Sequence, residues 1–352
     1  MYKTLKLQNS TNNLLNWFLD DRSLCLEEDG RHRPYEIAKQ ISLTYEHIHL
    51  FDNNTNKKDI LYPKKYDARN YLIGKDKELL MKVDHIVNFI KSELTEDIEN
   101  FLLHGSLATK DFSLGWSDVD SFMVIKSEVM KSPKRLIELR SKCLKIRNLF
   151  YEICPLQHHG IMAYSRYDVE NYMSSFLPLQ ALEDSLALYS NKKLIFSKID
   201  NEEIEASPGL GRIQYIFELT IKALETGEFP HHPYKGVPLL IEYRNHENAM
   251  QQLFWFIGTI MTMPAFLLTA LNKPTLKKNS FILAKSIYSK DSWNLIEDAS
   301  NVRNLWALEE GTKYVGNKIP HWLMSNFSKF YMSRFRDLLK ESIDIISRNT
   351  IK

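Results

Sequence analysis

Apolar positions recur at helical spacing near the start of the chain. Leu14, Leu15, Phe18 and Leu19 form one group, and Ile37, Ile41 and Tyr45 form another, so residues 1–50 read as helical. Residues 52–70 are polar and charged and contain a proline; they read as an exposed connector. A clear helical period returns over 76–97 through Leu79, Leu80, Val83, Ile86, Val87 and Ile90. Phe101 to Leu103 predict a short strand, and Phe122 to Ile125 the body of a second. Residues 127–150 read as one long basic helix with Leu136, Leu139, Leu144, Ile146 and Phe150 as its apolar positions; its Lys and Arg residues read as a solvated face. Residues 160–165 and short pieces around 187–197 read as extended. From about residue 210 the pattern is helical, with breaks at Pro230, Pro233, Pro238, Pro264, Pro274 and Pro320. No internal repeat is visible.

This pattern predicts an α+β chain: a small mixed sheet with helices, followed by a mainly helical C-terminal domain. The expected divisions are an N-terminal helical extension and linker over 1–75, the sheet domain over 76–200, and the helical domain over 205–352. Residues 253–271 carry no charge and are just long enough to span a bilayer. Pro264 in mid-run favours two core helices meeting there instead, and no membrane association is expected.

Composition changes this picture little. Of 352 residues, 44% are hydrophobic and 26% charged, the balance of a soluble globular protein. The 46 basic and 44 acidic residues leave a net charge of +2, so no global field selects nucleic acid, and a nucleic-acid partner is not favoured. Three scattered cysteines without a CxxC argue against a disulfide framework or a cysteine zinc site. With no apolar h-region in the first residues, a cytoplasmic location is expected.

The chemistry concentrates in FLLHGSLATKDFSLGWSDVDSFMVIK, residues 101–126. Gly105-Ser106 follows the first strand as a tight turn, where glycine lets backbone approach a phosphate and serine adds a hydroxyl and an N–H. A short helix over about 107–112 would begin at Ser106 and favour an anion at its N-terminus. Asp118-Val119-Asp120 opens the second strand. Side chains two apart on a strand share a face, so the two carboxylates project together and repel unless a cation lies between them. Mg²⁺ is the expected ion, since it binds through one or two carboxylates plus substrate phosphates. Lys110 is placed as a triphosphate contact, and Lys278, read as a loop lysine, as a second.

This stretch resembles the polymerase-β-like nucleotidyltransferase superfamily, whose pattern is an apolar strand, Gly-Ser, a gap of about ten residues, then Asp-apolar-Asp-apolar. Gly105-Ser106 and Asp118-Val119-Asp120 match it with residues 107–117 between, and Gly115-Trp116 before SDVD gives it the look of the antibiotic nucleotidyltransferase branch. The resemblance implies Asp118 and Asp120 as catalytic metal ligands and Gly105, Ser106 and Ser117 among the nucleotide contacts. It further implies an NTP, with ATP expected, as co-substrate and transfer of its NMP to a hydroxyl of a small, antibiotic-like molecule. The alternatives are nucleotidylation of tRNA or protein, as in toxin–antitoxin systems, and a non-catalytic nucleotide-binding homologue.

The family's third carboxylate, on a neighbouring strand, has no match within residues 156–165. Glu152 precedes that segment and Asp168 follows it. His158 or His159 is the candidate proton acceptor in its place, because imidazole titrates near neutrality. Being adjacent, only one of them can face the aspartates. Ser121 also departs from the family's apolar residue.

Overall fold

A computed structural model describes residues 2–20, 33–48, 55–68, 77–113, 116–154, 157, 160–173, 177–199, 208–227, 249–305 and 331–350. The chain is α+β, and it divides into two compact units, Met1–Asn201 and Glu202–Lys352.

The first unit opens with α1 (Tyr2–Asp20) and α2 (Arg33–Ile48). Leu15, Phe18, Leu19, Ile41 and Tyr45 are buried, so the helical spacing in the sequence marks true core faces. There follow β1 (Thr55–Leu61), β2 (Lys64–Lys65), α3 (Lys77–Glu93), β3 (Ile98–His104), the single turn α4 (Gly105–Ala108) and β4 (Asp120–Ile125). The unit continues with α5 (Ser127–Met130), α6 (Pro133–Ile153), β5 (Ile161–Ser165), α7 (Arg166–Glu170), β6 (Leu186–Tyr189) and β7 (Leu194–Ile199).

Two expectations fail here for local reasons. The supposed connector holds β1, which pairs antiparallel with β7 from Thr55↔Ile199 to Leu61↔Leu194. Its run of Lys57, Lys58 and Asp59 hides the strand, because a two-stranded ribbon buries too little to impose apolar alternation. The long basic helix is two helices. Pro133 takes the first position of α6, where its missing N–H costs nothing, and Ser132 caps it by accepting from Arg135 N–H at 3.4 Å. Cys143 is buried on α6, while Leu144 is only partly covered.

The main sheet has the order β2-β6-β3-β4-β5. Strand β3 runs antiparallel to β4 and β6, and β4 runs parallel to β5. Its two faces differ. Phe101, Leu103, Val119, Met123, Ile125, Ile161 and Ala163 join the large core with residues of α1, α2, α3 and α6. Leu102, Phe122, Val124 and Tyr164 face a smaller cluster with Tyr172 and Phe196, in which Phe122 stacks on Tyr164 at 4.6 Å. Strand β5 ends the sheet, and α1 seals part of that edge. Asn16 accepts from Ala163 N–H at 2.7 Å and donates to Ala163 C=O at 2.9 Å, and Asn12 donates to the same carbonyl at 3.1 Å. These side chains stand in for a neighbouring strand.

The second unit contains α8 (Pro208–Thr226), α9 (Ala249–Ala270), α10 (Lys277–Ala284), α11 (Lys290–Leu305) and α12 (Tyr331–Thr350). Central α9 packs against the other four, and α12 also packs on α8 and α11. Contrary to the expected break, α9 runs through Pro264 as one helix. A proline inside a helix costs about 3 kcal/mol. Burial of Phe256, Ile257, Ile260, Met263, Leu267 and Leu268 along both halves offsets that cost. No described helix is long and apolar enough to cross a membrane. Pro274 lies in the connection between α9 and α10; Pro230, Pro233, Pro238 and Pro320 lie outside the described residues.

Gly209 permits the approach of α8 to α9. A Cβ there would lie 2.6 Å from Ala270 N and 3.1 Å from its Cβ, and closer still to Phe266 O. Backbone cannot yield as a side-chain tip can, so Gly209→Ala is expected to cost about 1–3 kcal/mol as an overpacked contact. Urea denaturation with an unchanged slope would register it as a lower midpoint.

Candidate active site

Strand β3 ends at His104, which lies directly across from Asp120, the first residue of β4. The chain then turns sharply at Gly105, whose φ of +66° is in the left-handed region. Ser106 follows in the helical conformation of α4. A left-handed residue followed by a right-handed one turns successive N–H groups to one concave side, a backbone nest for anions. The expected helix over 107–112 is shorter than read: α4 ends at Ala108, with Thr109 as its cap. One turn sums too few peptide dipoles to attract an anion by itself.

Gly105 lies against the Asp120 carboxylate. A Cβ on it would lie 3.0 Å from Asp120 Cγ and 3.2 Å from Asp120 Cβ, and nearer still to Oδ2. The bend of the turn and the Asp120 carboxylate therefore occupy adjoining space, which only glycine leaves open. Strand β4 begins at Asp120, two residues later than read. Val119 is fully buried in the large core, on the face opposite Phe122 and Val124. Backbone alternation along β4 then puts Asp120 on the side away from that core. Ser121 is buried, pointing by the same alternation to the large-core side.

The loop that delivers Asp118 is tied down locally. Ser117 N–H donates to Ser113 C=O at 2.7 Å, and Ser113 N–H donates to the Ser117 hydroxyl at 3.0 Å. The Ser117 side chain thus serves the turn that precedes the aspartates. Lys110 lies just past α4 instead of on it, exposed and with φ of +61°. Asp111 N–H reaches back to Ser106 C=O at 2.9 Å, closing the turn around Lys110. Lys278 sits in the first turn of α10, not in a loop, and belongs to the second unit. His158 and His159 lie outside the described residues.

Of the nearby acids, Asp168 is remote from the pair. Strand β5 runs parallel to β4 and places Ser165 beside Ile125, five positions along from Asp120. At 3.3 Å per residue that is about 16 Å from the pair. Asp168 is fully buried and caps α7. Its carboxylate accepts from Tyr45 OH at 2.6 Å, Ser165 Oγ at 2.7 Å, Ser165 N–H at 2.8 Å and Gln8 Nε2 at 3.2 Å. Burial pushes this carboxyl above its ordinary range, against the lowering effect of those donors. Glu152 is exposed near the end of α6. On the face shared with Phe122, β5 presents Met162 and Tyr164. Burial raises the Tyr164 phenol and keeps it neutral. Among the described residues no group of three or more His, Cys, Asp or Glu side chains gathers to hold a metal ion.

Two residues near the pair escape a sequence reading. His104 is buried, and as the cross-strand partner of Asp120 it shares that residue's face. The alternation Leu102, His104 hinted at this; the register was needed to establish it. Gln157 is buried and bonds the backbone of Val119 twice. No local pattern announces it.

The Asp120 carboxylate against the Gly105 bend, with a second aspartate two residues before it, offers oxygen donors, the type that hard divalent cations take. No family model, curated protein or solved structure matches the chain.

Proposed function

We propose that this protein is a nucleotidyltransferase that moves an NMP from an NTP, with ATP as the expected donor, to a hydroxyl of a small acceptor. The observation that carries the reading is the fit of the Gly105 bend against the Asp120 carboxylate, with Asp118 two residues before it. Asp118 and Asp120 would hold Mg²⁺, which when bound neutralises charge on the phosphate oxygens. The Gly105-Ser106 backbone seats the β- and γ-phosphates, and Lys110 adds a positive charge at the rim. The acceptor oxygen bonds to the α-phosphorus as the bond to the bridging oxygen breaks, and pyrophosphate leaves. His158 or His159, next to Gln157 in sequence, takes the hydroxyl proton.

A second reading, nucleotide binding without transfer, is favoured by one observation: β5 presents Met162 and Tyr164 where a third carboxylate would stand.

Mg²⁺ and ATP together are expected to raise the melting temperature of the wild type. Binding at 100 times Kd is worth about 2.7 kcal/mol. Asp118→Asn should lose most of that gain while melting normally without ligand. An equal gain in the variant would remove the carboxylate pair from the site. Incubation with α-labelled NTPs and cell extract then separates the acceptors. Label in small molecules supports the proposal, label in RNA or protein supports the macromolecular alternatives, and binding without any transfer supports the second reading.

A further inference from the structure

We infer that Gln157 is the positioning residue of the carboxylate pair, an inference that rests on the nucleotidyltransferase reading. Its side-chain amide meets Val119 twice: Gln157 Oε1 accepts from Val119 N–H at 2.7 Å, and Gln157 Nε2 donates to Val119 C=O at 3.0 Å. Those two backbone groups belong to different peptide planes. The N–H lies in the plane joining Asp118 to Val119, and the C=O in the plane joining Val119 to Asp120. Each plane carries the Cα of one aspartate. Fixing both planes holds φ and ψ of Val119, and with them the separation of the two Cα atoms from which the aspartate side chains leave the chain.

The clasp sits where the sheet gives no such support. The β4–β5 ladder starts at Ser121 and Ile161, and β4 itself starts at Asp120. Beyond that first rung, the Gln157 amide offers the donor and acceptor that a strand backbone would offer. Val119 is gripped on its other side by the large core, where its side chain is fully buried. The clasp also opposes a specific force. Two carboxylates at this spacing repel whenever no cation lies between them, and rotation of the two peptide planes is the easy route to splay them. A buried amide with both its bonds made resists that rotation, because breaking it leaves buried backbone groups unsatisfied.

The test titrates the full-length protein with Mn²⁺ in the presence of α,β-methylene-ATP and follows free Mn²⁺ by electron paramagnetic resonance. Asp118→Asn reports on the pair itself. Gln157→Leu keeps length and removes both hydrogen bonds; it is expected to weaken Mn²⁺ binding by roughly 10- to 100-fold, the range for groups that orient metal ligands. Gln157→Glu keeps the acceptor for Val119 N–H and loses the donor, so it should fall between wild type and Gln157→Leu. Tyr45→Phe loosens the same unit at the far end of the sheet and should leave the affinity unchanged.

If Asp118→Asn abolishes binding but folded Gln157→Leu and Gln157→Glu bind as wild type does, the inference fails and the transferase reading stands. It fails equally if Tyr45→Phe weakens binding as much as the Gln157 changes do, since that marks general loosening. Should Gln157→Leu not fold, Gln157→Glu decides by the same comparison. If wild type itself does not bind, the transferase reading falls first and takes this inference with it.

Discussion

Gly105→Ala should abolish nucleotide-dependent stabilisation while the protein still folds. Two costs meet at this position. A left-handed φ costs a residue with a Cβ roughly 1–2 kcal/mol. The new methyl would also enter space held by the Asp120 carboxyl, 3.0 Å from its Cγ. The short aspartate side chain can swing away, so the fold survives with a melting temperature a few degrees lower. The swing is what destroys the site, because it takes a carboxylate off the bend that seats the phosphates. The wild-type gain with Mg²⁺ and ATP, about 2.7 kcal/mol at 100 times Kd, should fall to near zero. Ser106→Ala, which keeps the bend, should retain most of it. A Gly105→Ala protein that responds to nucleotide like the wild type would show that phosphate is seated elsewhere.

Asp168→Ala is expected to produce the largest loss of stability in the first unit. The carboxylate gathers donors from α1, α2 and the start of α7 in one fully buried place. Removing it strands the Tyr45 hydroxyl and the Ser165 N–H, at about 1–3 kcal/mol for each buried donor. Gln8 and Asn12 keep a second partner each, on Asn171 C=O and Ala163 C=O. With the cavity added, a total of roughly 3–5 kcal/mol follows. In a unit of this size that lowers the melting temperature by about 10 °C.

The pH dependence gives an independent check. Burial raises the Asp168 pKa in the folded state above the ordinary 3.8. Below 3.8 both folded and unfolded chains hold the proton, and the group contributes no slope. As pH rises past 3.8 the unfolded chain ionises first while the folded chain keeps its proton. Stability therefore falls with pH until the raised value is passed. Asp168→Asn has no such slope, so its deficit against wild type should narrow as pH rises from 3.8. Urea titrations of both proteins at several pH values measure this. A deficit that widens over that window would mean the ionised carboxylate is the form the fold prefers.

These two sites also mark what a sequence can and cannot tell. The Gly105 turn and the aspartates lie within sixteen positions of each other, and the reading proposed for them rests on their types at that spacing. The helical faces of α1, α2 and α3 were equally plain, because each buries a stripe large enough to dictate the pattern. Asp168 follows the strand in sequence, but β5 carries it about five residues along the sheet from Asp120, which only the strand register shows. Gln157 and His104 needed the strand register. Gln157 acts 38 residues from Val119, and nothing around it in sequence distinguishes it from a surface glutamine. Strand β1 is hidden from a sequence reading because its partner strand among the described residues, β7, lies more than a hundred residues later. Pro264 shows the reverse error: a strong local rule gave way to packing along the whole of α9.

The asparagine seal on β5 sets the limits within which the sheet can be isolated. Asn12 and Asn16 occupy backbone groups that an unsealed strand would offer to any passing chain, and they come from a helix that the motif itself never mentions. A fragment cut at residue 76 to retain only the recognisable motif would expose those groups along with the apolar surface that α1 and α2 cover. The smallest piece able to stay dispersed in solution must therefore start at the beginning of α1. The helices ahead of the motif are its insulation against sticking to copies of itself.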